Sequence, residues 1–300
     1  MRLRQVVKAQ FYEVQRRWGR WASHRPNLKQ SAIVIFTVHS IAPARSDMAI
    51  SVTRFREQME GVLAAGYRAL TIDQVLAVLS SKAGLCDPAF ALTFDDGYRS
   101  VLTDALPVLE ALQIPATVFL TTGFLDRRVS PPWQSADTNL QAEYKNQTEF
   151  FQPLNWDEAR SLARHPLIRI GGHTDTHPLL GLLTAEAVRE ELRQSNAIIR
   201  EQLGIETSLF AYPFGVRRYG AYSKRTEQLL HDTGYVCSMT SEIARARVGT
   251  GPWQIPRISL TQQDESRDAV AKAAGAYDWV GVAQSFYQSL FPNPHLGTPQ

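Results

Sequence analysis

AFALTFDDGYRSVLTDALPVLEALQIPATVFLTT, residues 89–122, decides the fold class. AFALTF (89–94) is a short apolar run of the length and composition of a buried strand. VLTDALPVLEAL (101–112) reads as a helix, with Pro107 placed either to kink it or to divide it. PATVFLTT (115–122) is a second apolar run. Strand, helix and strand in so short a stretch form the unit in which a crossover helix joins two parallel strands.

The unit recurs in both directions. Upstream, SAIVIFTVH (31–39) reads as a buried strand ending at His39. TRFREQMEGVLAAG puts Phe55, Met59, Val62 and Leu63 at helical spacing, with Thr53 as expected N-cap and Gly66 as stop. Thr71 and Gln74 have the spacing of a capping box for the next helix. Downstream, residues 126–155 are polar, contain Pro131 and Pro132, and read as a long surface loop. LIRIGG (167–172) is a strand. A helix is expected over Thr184–Leu203, with Val188, Leu192, Ile199 and Leu203 on one face and Gly204 as its stop. SLFAYPF, YVCSMT and WQIPRISL supply three more extended segments. A count of about eight alternating strand candidates favours an α/β barrel over an open sheet.

The chain has 300 residues, 44% hydrophobic and 20% charged, which suits a globular enzyme with a sizeable core. A net charge of +3 is too small to argue for nucleic acid. Cys86 and Cys237 make no disulfide framework and no metal spacing. No run approaches the roughly 20 apolar residues that span a bilayer, and the N-terminus lacks the apolar core of a secretory signal. The expectation is therefore a cytoplasmic protein. Residues 1–30 read as a basic helix carrying Val6, Val7, Phe11, Val14, Trp18 and Trp21. Such a helix either packs on the domain or lies on an anionic membrane surface through Arg16, Arg17 and Arg20. Residues 31–265 are the expected barrel, and 266–300 a C-terminal helix and tail packed on it.

Polar residues at the C-terminal ends of parallel barrel strands share one face, where barrel enzymes do their chemistry. Three ends stand out here. FALTF runs into Asp95-Asp96-Gly97. LIRIGG runs into His173-Thr174-Asp175-Thr176-His177-Pro178. LFAY runs into Pro213-Phe214-Gly215. The first strand adds His39. Pro178 discourages helical geometry at His177, so the histidine pair is expected on a short irregular turn. Two histidines and one carboxylate make a metal triad that leaves positions open for water and substrate. One aspartate can be that ligand and its neighbour a general base. Asp175 reads as a turn or supporting group. Trp133 and Trp156 flank the long loop, where they either stack on sugar rings or cap the core.

ALTFDDGY, GGHTDTHP and FAYPFG resemble, in order and spacing, the first three motifs of the polysaccharide deacetylase family (carbohydrate esterase family 4, the NodB-homology group), over roughly residues 30–260. The resemblance implies a distorted (β/α) barrel of seven or eight strands and metal-dependent removal of an N-acetyl group from an amino sugar, usually in a polymer. It implies Asp95 as catalytic base and Asp96, His173 and His177 as metal ligands. Tyr98, Tyr212, Pro213 and Phe214 are expected along the substrate groove, with the Phe214 N–H on the oxyanion.

Zinc is the default ion, with cobalt, nickel or iron as alternatives. The expected partner is an N-acetylated glycan. The chain departs from the family pattern twice. Ala211 stands where an arginine usually pairs with the base, and Arg257 is the candidate replacement. The late motif that supplies the general acid is absent, and His39 is the candidate, as in a circularly permuted subgroup whose members begin with a strand ending in histidine. The rival readings are a metal-dependent amidohydrolase acting on a formamide or cyclic amide, and a non-catalytic carbohydrate-binding barrel.

Overall fold

The computed structural model describes residues 32–43, 48–81, 87–129 and 147–281. The expected N-terminal basic helix, Cys86, Trp133 and the tail beyond residue 281 lie outside them.

Strands and helices alternate along the chain. β1 (Val34–Val38) is followed by two short strands that pair with each other, β2 (Ser40–Ile41) and β3 (Ala49–Ile50), and then by helix α1 (Val52–Ala64). β4 (Arg68–Ala69), α2 (Ile72–Ser80) and β5 (Ala89–Phe94) come next. A π-helical turn, Val101–Ala105, runs without a break into α3 (Leu106–Leu112), with Pro107 in the first turn of the α-helical part. β6 (Ala116–Leu120), a short α4 (Thr122–Leu125), α5 (Trp156–Ala163), β7 (Ile168–Gly172) and α6 (Ala185–Leu203) follow. The chain continues with β8 (Leu209–Ala211), α7 (Lys224–Asp232), β9 (Cys237–Met239), β10 (Ile258–Ser259) and α8 (Ser266–Ala273).

The main sheet runs β10–β1–β5–β6–β7–β8–β9, with β4 beside the start of β5, and every pair is parallel. One segment meets both edges. Ile255 exchanges backbone hydrogen bonds with Ser238 and Thr240 beyond β9, at 3.0 and 2.8 Å. A few residues on, β10 pairs with β1, Phe36 opposite Ile258. The sheet therefore curls into a distorted (β/α) barrel.

Side-chain alternation sorts the core into layers. Val34, Phe36 and Val38 of β1 and Phe90, Leu92 and Phe94 of β5 face outward onto Phe55, Met59 and Val62 of α1. Ile33, Ile35, Ala89 and Ala91 face the other way, toward Leu209, Ala211, Cys237 and Met239. Both faces are buried, so these strands read as unbroken apolar runs. Thr37, Thr93 and Asp95 continue the inward row toward the C-terminal mouth.

The helix boundaries follow local capping chemistry. α2 has the expected Thr71–Gln74 capping box, and α6 runs from its Thr184 cap to Gly204, which is left-handed at φ 69°. α1 starts earlier than expected. Its N-cap is Ser51, whose Oγ accepts from Arg54 N, and not Thr53, which lies inside the first turn. The Ser51 N–H donates to the Gln262 side chain at 2.7 Å, and this tertiary bond fixes the entry to the helix. The C-terminal α8 lies against α1. Gly61 packs closely on Ser266 of α8, where a Cβ would crowd the serine side chain. No helix among the described residues is long and apolar enough to cross a membrane.

Candidate active site

Asp95 ends the inward-facing row of β5, and its N–H still donates to Val38 O at 3.0 Å, as a ladder bond would. The next residue leaves the strand: Asp96 is left-handed at φ 74° and Gly97 at 78°. This turn separates the directions of the two adjacent carboxylates.

Asp95 is 3% exposed and held by Arg257, which is itself 1% exposed. Arg257 Nη1 donates to Asp95 Oδ1 and Nη2 to Oδ2, both at 2.7 Å. The guanidinium is fixed in turn by Thr93 Oγ1 at 3.1 Å and Thr240 O at 3.0 Å. Burial disfavours the Asp95 carboxylate, but the Arg257, His173 and His39 charges outweigh it and hold the group below the usual carboxylate range.

Asp96 faces the two histidines. His173 Nε2 lies 3.5 Å and His177 Nε2 3.3 Å from Asp96 Oδ1. All three residues are buried, and one ligand atom from each lies within 4.8 Å of the others. Neither Asp96 oxygen accepts a hydrogen bond. Burial opposes its ionisation, yet the neighbouring imidazoles keep it well below the ordinary value.

The histidine side explains why this cluster suits a cation. His173 Nδ1 lies 2.7 Å from Ala211 O, which can only accept, so Nδ1 carries the proton. In neutral His173, Nε2 then presents a lone pair to a carboxylate oxygen. Two facing acceptors repel unless a positive charge lies between them. The buried Asp96 oxygens without donors and the fixed tautomer therefore fit a divalent ion bound by Asp96, His173 and His177. Burial pushes the His177 imidazolium down in pKa. For His173 it does the same, but the Asp96 and Asp95 carboxylates outweigh it and raise the value.

The histidine loop is irregular and braced from three sides. Thr174 and His177 are left-handed, at φ 66° and 63°. Thr174 Oγ1 accepts from His177 N at 3.0 Å, which closes the turn. Glu191 of α6 accepts from Asp175 N, Thr176 N and Thr176 Oγ1, at 3.0, 2.9 and 2.5 Å. Asp175 turns away from the histidines and accepts from Arg128 at 3.0 and 2.6 Å and from Thr122 Oγ1 at 2.6 Å. Gly123 N donates to Asp175 O at 2.8 Å, and a Cβ on Gly123 would come within 2.6 Å of that oxygen.

Phe214 completes the rim. It is left-handed at φ 61°, and its ring lies 4.8 Å from that of His177, which also packs on Phe124 at 5.6 Å. Of the four residues expected along the groove, Phe214 is 47% exposed, whereas Tyr98, Tyr212 and Pro213 are buried. Tyr98 packs edge-on against Phe151 and Tyr212 stacks on Tyr222, so those side chains support the loops from beneath and do not line a groove. His39, the residue after β1, lies half-buried at the same mouth, near enough to act electrostatically on Asp95 and Asp96. Trp156 donates its indole N–H to Asp126 and packs against the core.

A hollow of about 320 Å³ opens outside these loops, lined by Ile41, Arg99, Ser100, Asp104, Glu149 and Gln152 among others, and includes none of the site residues. Cys237 is buried in the barrel interior and its thiol is pushed up to about 12, which leaves it inert.

Glu191, Arg128 and Thr122 carried no local signal of this role in the sequence.

A parallel barrel with two histidines and two carboxylates gathered at its C-terminal mouth has the build of a hydrolase. The chain belongs to the polysaccharide deacetylase family, whose sequence model matches residues 82–238. It is accordingly an enzyme of the class that acts on non-peptide carbon–nitrogen bonds. YxkH of Bacillus subtilis (strain 168), assigned by name to the polysaccharide deacetylases, is 23% identical over 233 residues, 78% of this chain and 73% of that protein. The poly-beta-1,6-N-acetyl-D-glucosamine N-deacetylase of Escherichia coli (strain K12) is 26% identical over 147 residues, 48% of this chain but 21% of that enzyme. Among solved structures, IcaB from Ammonifex degensii superposes with a TM-score of 0.67 at 25% identity, covering 82% of this chain and 98% of that one.

Proposed function

We propose that the protein is a metal-dependent hydrolase that removes N-acetyl groups from N-acetylhexosamine units of a bacterial polysaccharide or glycan precursor. The observation that carries this reading is the buried Asp96 carboxylate, without donors and facing two imidazoles, beside a second carboxylate locked by Arg257. The similarity to the E. coli enzyme named for poly-N-acetylglucosamine supports the choice of an acetylated amino sugar.

Asp96, His173 and His177 would hold the ion, with zinc the default for this donor set and cobalt, nickel or iron compatible with it. When bound there, the ion supplies Lewis acidity that polarises the acyl carbonyl and acidifies water. Asp95, ionised at neutral pH, accepts a proton from the attacking water. Its bidentate pair with Arg257 fixes its orientation, as the family's arginine would from the position of Ala211. Water oxygen bonds to the acyl carbon, and the Phe214 N–H stabilises the oxyanion. The carbon–nitrogen bond then breaks while His39 donates a proton to the leaving amine. Acetate and a free amino sugar result.

Acetate release from N-acetylglucosamine oligomers by chelator-stripped protein, before and after zinc is restored, tests this. Turnover that returns with zinc is the expected result. Hydrolysis confined to formamides or cyclic amides would move the substrate to another amide. Zinc binding with no turnover of any acylated sugar would leave a carbohydrate-binding barrel.

A further inference from the structure

The rim of the mouth carries an exposed aromatic residue that the hydrolytic centre does not use. Tyr219 is 61% exposed, more than any other large apolar or aromatic side chain among the described residues. It ends the 3₁₀ turn Arg217–Tyr219 in the loop after β8, the loop that also carries Phe214. From Phe214 to Tyr219 the chain can reach at most about 17 Å, and the turn shortens that. Tyr219 therefore stands within the span of a short oligosaccharide from the ring that touches His177.

Exposure alone would mean little, because single exposed apolar residues are ordinary. The mounting of Tyr219 is what distinguishes it. Its own N–H donates to Val216 O at 3.1 Å, and the Gly220 N–H to Arg217 O at 2.9 Å. Arg217 N is anchored on Glu242 Oε1 at 2.9 Å. Gly220 is left-handed at φ 84°, and a Cβ there would come within 2.7 Å of the Leu182 side chain. Gly220 O accepts from Gly181 N at 2.9 Å, which ties this loop to the one that carries His173 and His177. The two loops thus meet twice, at His177–Phe214 near the strand ends and at Gly181–Gly220 farther out. Tyr219 projects at the outer joint from a backbone pinned on both sides.

We propose that Tyr219 forms the aromatic floor of an outer saccharide subsite, on which a second pyranose ring of the glycan stacks while its neighbour lies at the Asp96–His173–His177 centre. The proposal rests on the deacetylase reading for the position of that neighbour. A pyranose ring presents a face of C–H groups that suits the negative face of a phenol ring, and a tyrosine, with two side-chain torsions on a pinned backbone, loses little conformational entropy on binding. The hydroxyl of Tyr219 stays in water. Stacking does not require it, so Tyr219→Phe preserves the subsite and Tyr219→Ala removes it.

The test uses full-length zinc-loaded protein carrying Asp95→Asn, so that bound sugar is not consumed. Titration calorimetry with N-acetylglucosamine and with its oligomers measures the gain in affinity from the extra rings. Adding Tyr219→Ala should lower the oligomer-to-monomer affinity ratio by about tenfold, equivalent to about 1.4 kcal/mol. Tyr219→Phe should keep the ratio. Equal ratios in the alanine and phenylalanine variants, or no gain from added rings in the parent, would overturn the subsite. Acetate release by the Asp95 protein is measured beside it. Absence of release with the ratio intact would refute the deacetylase reading and leave the subsite standing.

Discussion

At the residue scale the sharpest feature is the division of labour between Asp95 and Asp96. The sequence shows two neighbouring carboxylates, and only backbone geometry separates them. Asp95 keeps strand register and points inward to Arg257, whereas Asp96 turns left-handed toward the histidines. Asp95→Asn should leave zinc content near the parent value and lower turnover by about 10²- to 10⁴-fold, the usual range for a general base. Metal analysis beside an acetate assay checks both halves, and full turnover in this variant would remove Asp95 from the mechanism. Arg257→Met should act on stability. It leaves Asp95 charged and buried without its partner, at a cost of about 3–5 kcal/mol in urea unfolding, and Asp95→Asn in the same chain should recover part of that. The pair also predicts a pH dependence. Asp95 is lowered from its ordinary value of 3.8 in the folded protein. Its contribution is complete above that value and lost as pH falls through the lower folded one. The acid limb of stability against pH should therefore be shallower in the double variant than in the parent.

At the element scale, helices hold strand-end loops in conformations those loops would not keep alone. Asp96, Thr174, His177 and Phe214 are left-handed without being glycine, and such residues cost of order 1–3 kcal/mol each unless their surroundings compensate. Glu191 supplies much of that compensation for the histidine loop. Glu191→Ala should weaken zinc binding by about 10- to 100-fold in a chelator competition, with little change in helix content by circular dichroism. An unchanged zinc affinity would mean that Thr174, Arg128 and Gly123 hold the loop by themselves. What could be read from the sequence at this scale was local. The Thr71–Gln74 box and the Gly204 stop follow from residues a turn apart. The start of α1 could not be read, because Ser51 wins over Thr53 through a bond to Gln262, more than two hundred residues away in the chain. Glu191 was illegible for a similar reason. Nothing in α6 marks the residue that faces another strand's loop. The motif residues were legible because each lies within a few residues of its strand end. The burial of Tyr98 and Tyr212 was not, because flanking a motif does not say which way a side chain turns.

At the scale of the whole molecule, the segment that closes the barrel also carries the arginine that holds Asp95. Ile255 pairs beyond β9, β10 pairs with β1, and Arg257 lies between them. That segment is fastened from outside by the C-terminal helix. Lys272 Nζ donates to Ser259 O at 2.9 Å and to Asp264 Oδ2 at 2.6 Å, and both members of this ion pair are buried. Gln58 of α1 adds donations to Thr261 O and Asp264 O, at 2.9 and 2.7 Å. Farther along, Arg245 reaches from beneath the barrel to Asp278 at 2.9 Å and to Ala273 O at 3.2 Å. If residues 266–300 were a dispensable appendage, a chain ending at residue 265 would fold and turn over substrate. The contacts argue otherwise. Truncation would strip Lys272 from Asp264, Asp278 from Arg245 and the apolar face of α8 from α1, opening that side of the core to water. The truncated chain should lose its cooperative unfolding transition or fail to accumulate in soluble form. Lys272→Met in the full chain is the milder probe. It should lower stability by about 3–5 kcal/mol through the stranded Asp264 and reduce turnover in proportion to the loosening of β10. Asp264→Asn added to Lys272→Met should restore stability first. If turnover stays low in that double variant while stability returns, the ion pair acts on the site by setting the position of Arg257, and its role is more than holding the fold together.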